Sequence, residues 1–222
     1  MATPAWVTKD KELLKTHIKK SAKSLVALKE RDAVEADTRT FVTDLLVDGL
    51  GYDKYEDLTA EYQVKGEFAD IGIRVEKKLL AFVEIKRITQ DLKEQHLRQA
   101  KTYAANEGVS WIILTNGRIW QVYHISNNTP IEHTLLFEVD LLSDSTPSAK
   151  IEKLWMISRN ALKRGALNEL WKAESALQDS VLAKALLSTN VQKHIRAEIR
   201  RLTSELVDAE RLKQAISKLL EK

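Results

Sequence analysis

The sequence predicts an α/β (α+β) fold: a central mixed β-sheet flanked by helices, followed by a C-terminal all-helical region. Three observations carry this. Residues 68–86 alternate between apolar and polar positions, as half-buried strands do. Apolar positions at helical spacing precede and follow that stretch, giving the order helix, helix, strands, helix, strands. Beyond the Ser- and Asp-rich segment 143–149 the pattern is helical to the end.

Residues 9–31 read as an amphipathic helix with Leu14, Ile18, Ala22 and Leu25 on one stripe, and 33–48 as a second with Val34, Phe41, Leu45 and Leu46 inward. Gly49 and Gly51 end the second. In the stretch 68–86, the odd positions Ala69, Ile71, Ile73, Val75, Leu79, Ala81, Val83 and Ile85 are all apolar. The even positions include Asp70, Arg74, Glu84 and Lys86. This predicts a β-hairpin with one buried face and one polar face. A three-residue turn at Glu76-Lys77-Lys78 pairs Val75 with Leu79, Arg74 with Leu80 and Gly72 with Phe82, and brings Asp70 opposite Glu84. A helix over 91–107 stops at Gly108. Strands at 110–115 and 118–125 flank an Asn116-Gly117 turn, a strong hairpin signal, and another strand covers 131–139.

The segment 143–149 is the expected linker, dividing a domain over 1–142 from a helical region over 150–222. Gly165 breaks that region once. From Ile195, the positions Ile199, Leu202, Leu206, Ala209, Ile216 and Leu220 keep near-heptad spacing interrupted by Lys213. They suit packing within the chain or, alternatively, a homodimer or partner subunit.

Composition narrows the chemistry. At 222 residues and 44% hydrophobic the chain can bury a substantial core. It has no cysteine, so disulfides, thiolate metal sites and cysteine nucleophiles are excluded. The five histidines show no metal-ligand spacing, and there is neither an apolar run of membrane-span length nor a signal core. A cytoplasmic location is the expectation. Net charge is +3 but uneven: residues 1–31 hold 8 Lys+Arg against 3 Asp+Glu, 32–149 hold 12 against 20, and 150–222 hold 15 against 9. An acidic centre attracts metal cations, and basic ends suit a polyanion. The best candidates for phosphate contact are Lys19 and Lys20 in the first helix and Lys193, Arg196, Arg200 and Arg201 near the end. Ordinary solvation of exposed helices is the rival reading.

Asp70 followed by Glu84-Ile85-Lys86 resembles the D…(D/E)xK core of the PD-(D/E)XK nuclease superfamily. Glu35 within VEADTRTFVTDLLVDGLGYD resembles the opening of the N-terminal nuclease domain of type I restriction enzyme R subunits. Gln99-x-x-x-Tyr103 resembles the motif after its ExK strand, and WIILTNGRIWQVY at 111–123 its closing hairpin. The likeness covers residues 33–125, and Ala69 stands where the superfamily name has proline.

The resemblance implies a restriction-endonuclease-like core and a Mg²⁺-dependent DNA endonuclease, Mn²⁺ substituting. Asp70, Glu84 and the Ile85 carbonyl would be metal ligands, with Lys86, Glu35 and Gln99 in catalytic roles. Glu35 has a bland rival, an i,i+4 ion pair with Arg39. Gln95 and Glu61 are second-tier candidates, Tyr103 suits packing, and Trp111 and Trp120 suit the core. Asp70→Asn or Glu84→Gln is expected to weaken metal binding with little loss of stability. No GxxxxGK[ST] loop is present and the length does not suit a helicase motor, so a standalone relative in restriction or phage defence is expected. A non-catalytic DNA-binding or assembly protein on the same fold is the alternative.

Overall fold

The computed structural model describes residues 3–64, 67–126 and 130–220, without the side chains of Glu67 and Gln99. By compactness the chain forms two units, residues 1–168 and 169–222. The boundary therefore falls later than the expected linker at 143–149.

The first unit opens with α1 (Ala5–Glu30) and α2 (Glu35–Asp44), the latter running on into a π-helical turn at Leu45–Gly49. Six strands follow: β1 (Leu58–Val64), β2 (Glu67–Val75), β3 (Lys78–Ile85), β4 (Trp111–Thr115), β5 (Ile119–Ile125) and β6 (His133–Asp140). A 3₁₀ turn (Glu94–His96) and α3 (Leu97–Glu107) join β3 to β4. The strands lie in sequence order in one mixed sheet. Every neighbouring pair is antiparallel except β3 and β4, whose parallel pairing requires the α3 crossover. The unit continues through α4 (Pro147–Leu154), a 3₁₀ turn (Trp155–Ile157) and α5 (Arg159–Lys163).

That crossover explains why neither sheet face is free. Phe82, Ile112, Leu114, Tyr123 and Ile125 pack with Leu97, Ala100, Tyr103 and Ala104 of α3. The alternate positions Ile71, Ile73, Val83, Ile85, Ile113 and Val122 are buried too, and α2 packs on β3. Strands beside a parallel crossover are covered on both sides. The even-numbered face of 68–86 is therefore apolar at its middle, between Arg74 and the Asp70/Glu84 end: Phe82 is fully buried, and Gly72 lies under Tyr62, whose Cδ2 would be 2.6 Å from an added Cβ.

The β2–β3 hairpin reaches its expected register by a different turn. Glu76 and Lys77 both take positive φ (52° and 67°), making a two-residue turn that pairs Val75 with Lys78 and Arg74 with Leu79. The register then shifts at Ile73/Arg74, so that Ile73 pairs with Ala81, Gly72 with Phe82 and Ile71 with Val83. One extra residue on β3, Leu80, restores the pairing that a three-residue turn would have given. Leu79, now opposite Arg74, packs against the α3 cluster instead of the odd-numbered face.

Other differences have equally local causes. The α1 stripe is Val7, Leu14, His17 and Leu25, with Ala22 exposed, because His17 packs against the π turn, 3.3 Å from where a Gly49 Cβ would stand. In α2 the exposed Val34 is the N-cap, and Val42 takes the inward place beside Phe41, Leu45 and Leu46. At the β4–β5 turn only Gly117 has positive φ (78°), and it lies against Thr38 and Phe41, where a Cβ would come within 3.3 and 3.4 Å. α2 is thereby seated over the ends of β3 and β4. Trp111, Trp120 and Tyr103 are core residues as expected. β1 is an addition to the expected strands. α4 lies within the first unit, packed on β6 and α1, with Lys150 Nζ bonded to the carbonyls of Leu141 (3.0 Å) and Ser143 (2.6 Å). The segment 143–149 is thus a short connection inside one unit, not a linker between two.

Helix α6 (Ala166–Ser175) follows Gly165, which has φ 75°, and the unit boundary falls within its span. The second unit holds α7 (Asp179–Leu186), α8 (Thr189–Thr203) and α9 (Ala209–Leu220). The near-heptad run is not one helix: Ser204, at φ 64°, ends α8, and Leu202 and Leu206 are largely exposed. α8 packs on α7 and α9. Among the described residues no helix is long and apolar enough to cross a membrane.

Candidate active site

The ends of β2 and β3 carry the acidic residues, and their backbones dictate which groups meet. Asp70 continues the register that pairs Ile71 with Val83, and its Oδ2 accepts the Ile85 N–H at 2.7 Å. Glu84 lies one residue before on β3, buried, with Oε1 2.5 Å from Lys86 Nζ. Lys86 itself donates its backbone N–H to the Thr115 carbonyl at 2.8 Å, prolonging the β3/β4 ladder by one residue. Asp70, Glu84, Ile85 and Lys86 are therefore gathered at the carboxyl end of a central parallel strand, a place where open α/β sheets bind ligands.

α2 closes this end. Glu35, in its first turn, and Arg39, one turn on, face the carboxylates. Arg39 Nη2 bonds Asp70 Oδ1 and lies 4.0 Å from Glu35 Oε1, while Nη1 lies 3.8 Å from Glu61 Oε1. Both readings of Glu35 thus meet in one place, since its partner Arg39 is itself bonded to Asp70. Glu61 belongs to β1 and has φ 49°, a left-handed residue inside a strand, which re-aims its side chain as bulge residues do.

The charges respond to one another. Burial pushes the Glu84 carboxyl above its ordinary range; the Lys86 bond opposes this, and the Asp70 and Glu35 charges add to it. For Lys86 burial pulls downward, but the bond to Glu84 and the charges of Glu84, Glu35 and Asp70 outweigh it, and the ammonium is held above its ordinary value. His96, just before α3, belongs to the same neighbourhood. Burial first, then the Lys86 and Lys93 charges, lower its pKa, with Glu35 opposing. Its Nδ1 accepts the Lys93 N–H at 3.1 Å, and its Nε2 lies 3.0 Å from the Gln90 side-chain amide nitrogen. Histidine spacing gave no hint of it, because it meets Lys86 and Glu35 only through the fold.

Gln99 lies in α3, and its side chain is outside the described residues. Gln95 is exposed and contacts His96. Among the described residues no three His, Cys, Asp or Glu side chains are grouped so as to hold a metal ion. The donor chemistry nevertheless fits a hard cation such as Mg²⁺, which retains several waters and needs only one or two carboxylates. Asp70 and Glu84 supply those, each now bonded to a cationic side chain.

The basic candidates divide. Lys19 and Lys20 are exposed on α1 and, among the described residues, make no hydrogen bond or ion pair with their side chains; Lys193 and Arg200 on α8 are likewise unpaired. Arg196 Nε is bonded to the Val207 carbonyl at 2.7 Å and Arg201 forks onto Glu198, so these two are engaged in local structure.

Residues 34–136 match the family model described as Type I restriction enzyme R protein N terminus. This is the resemblance carried by the motifs from Glu35 to the 111–123 hairpin, and it spans α2 through the first half of β6. No curated protein and no solved structure matches the chain.

Proposed function

We propose that, with residues 34–136 related to the type I restriction enzyme R protein N terminus, the chain is a divalent-metal-dependent DNA endonuclease that hydrolyses phosphodiester bonds. The supporting observation is the meeting of Asp70, Glu84 and Lys86 at one strand end within that segment. Asp70, Glu84 and the Ile85 carbonyl would hold Mg²⁺ or Mn²⁺. Bound there, such an ion supplies Lewis-acid polarisation of the phosphate and a water of lowered pKa.

The chain's own groups do the rest. Lys86 stays protonated beside Glu84, so it acts as a fixed positive charge for the developing phosphorane oxygens, not as a base. Glu35 and Gln99 orient water at the acidic pocket. Because residues 32–149 carry 12 Lys+Arg against 20 Asp+Glu, DNA is held from outside the acidic centre, by Lys19, Lys20, Lys193 and Arg200.

The test is incubation of purified protein with plasmid and single-stranded DNA in Mg²⁺, Mn²⁺ or EDTA, beside Lys86→Ala. Cleavage that needs the metal and disappears in Lys86→Ala supports the reading. DNA binding without cleavage under every condition overturns it in favour of the non-catalytic alternative.

A further inference from the structure

Arg39 stands where the chemistry just described needs an open carboxylate. One of its terminal nitrogens bonds Asp70 Oδ1, and the other Asp70 oxygen is taken by the Ile85 N–H. The arrangement does not satisfy the guanidinium: its Nε is buried without a hydrogen-bond partner. Two further carboxylates lie at ion-pair distance but beyond hydrogen-bond contact, Glu61 at 3.8 Å and Glu35 at 4.0 Å. Glu61 takes positive φ (49°) within β1, where the register on either side sets it level with Asp70.

We propose that Arg39 is a positioning residue that competes with the divalent cation for Asp70, and that Glu61 is the seat it takes when Asp70 is released to the cation. This rests on the metal-dependent reading above. Arg39 fills the acidic end with positive charge in the metal-free protein, which keeps Asp70 from repelling Glu84 and Glu35. A shift of about an ångström brings Nη1 into full contact with Glu61, so the guanidinium exchanges one carboxylate for another without leaving the cluster. A bidentate fork suits such an exchange, since one nitrogen can hold while the other moves.

The test is a double-mutant cycle read by calorimetric titration with Mg²⁺ alone, using wild type, Arg39→Gln, Glu61→Gln and the double variant. Arg39→Gln should bind Mg²⁺ about five- to tenfold more tightly, the scale of removing one partly exposed charged competitor. Glu61→Gln should bind about two- to threefold more weakly while Arg39 is present and show a smaller effect in its absence. Equal or weaker binding by Arg39→Gln overturns the proposal, as does a Glu61→Gln effect of the same size in both backgrounds, which is a field effect only. Glu61 is 74% exposed at its side chain, so Glu61→Gln keeps the test decisive if Arg39→Gln does not fold: unchanged affinity in it overturns the proposal. Heat from wild type but no competition sinks Arg39's role alone; absence of heat in all four proteins sinks the metal reading and this one with it.

Discussion

Asp70→Asn separates what the Asp70 charge contributes from what its shape contributes. Asparagine retains an oxygen able to accept the Ile85 N–H, now at 2.7 Å, but offers Arg39 no charge. A charged hydrogen bond contributes about 1.5–3 kcal/mol net. The Asp70 side chain is 13% exposed and that of Arg39 35%, which moves the pair toward the roughly 0.2–1 kcal/mol measured for exposed pairs. Relief of repulsion with Glu84 offsets part of the loss. The expected cost in EDTA is about 1 kcal/mol, or roughly 2–4 °C in Tm for a unit of this size. This departs from the sequence-based expectation of little loss, because the sequence does not reveal that Asp70 is already paired. Adding Mg²⁺ should raise the Tm of wild type by ligand linkage and that of Asp70→Asn by less. Scanning calorimetry in EDTA and in Mg²⁺ measures both. A variant as stable as wild type in EDTA would show that the Arg39–Asp70 pair holds nothing, and identical Mg²⁺ shifts would remove Asp70 from the site.

Gly72→Ala should destabilise by about 1–3 kcal/mol, since the new Cβ would stand 2.6 Å from Tyr62 Cδ2 and the ring is held by Arg74 at 2.8 Å and by Phe82; urea unfolding at neutral pH measures it. At Asp140 burial raises the carboxyl, but the Arg118 bonds, the Leu142 N–H and the Arg118 and Lys150 charges outweigh it and lower the pKa. Its stabilisation is therefore present above the ordinary carboxylate value and lost as pH falls through the lowered one. Arg118→Gln should accordingly cost about 1 kcal/mol at neutral pH, and the gap to wild type should close in acid; urea midpoints compared across pH that keep a constant gap would refute it. For DNA, Lys193→Glu with Arg200→Glu should flatten the salt dependence of binding by about 0.9 log-log units per lost phosphate contact. Arg201→Glu, which removes a residue already forked onto Glu198, should leave the slope alone. Filter binding over a salt series decides between contact and solvation.

The legible parts of the fold were those with strong periodicity bounded by a stop. α3 ends at Gly108 with φ 66°, and β4 and β5 flank Asn116-Gly117. β1 carries a weaker signal: Leu58, Ala60, Tyr62 and Val64 alternate with Thr59, Glu61 and Gln63. Only Val64 is fully buried there, as befits an edge strand, so the pattern had little weight of apolar bulk behind it. The two-residue turn at Glu76-Lys77 was not legible, because neither residue is one that favours positive φ and the compensating bulge lies on the other side of the turn. The near-heptad run failed for the opposite reason: spacing alone cannot register a left-handed residue at Ser204.

The site divides along the same line. Asp70, Glu84 and Lys86 could be read because they belong to one hairpin, where sequence separation fixes spatial separation. Arg39, Glu61 and His96 belong to α2, β1 and the turn before α3, and they meet that hairpin only through Gly117 under α2, the left-handed Glu61 and the crossover. All six lie within residues 34–136, together with Glu35, so the segment matched to the restriction-enzyme family contains the whole acidic cluster and the cations that balance it. Lys19, Lys20, Lys193, Arg196, Arg200 and Arg201 all lie outside it. Residues 32–149 carry 12 Lys+Arg against 20 Asp+Glu, so on the reading proposed above a polyanion is held chiefly by the basic ends outside that segment. Salt dependence and metal dependence should accordingly respond to different sets of substitutions.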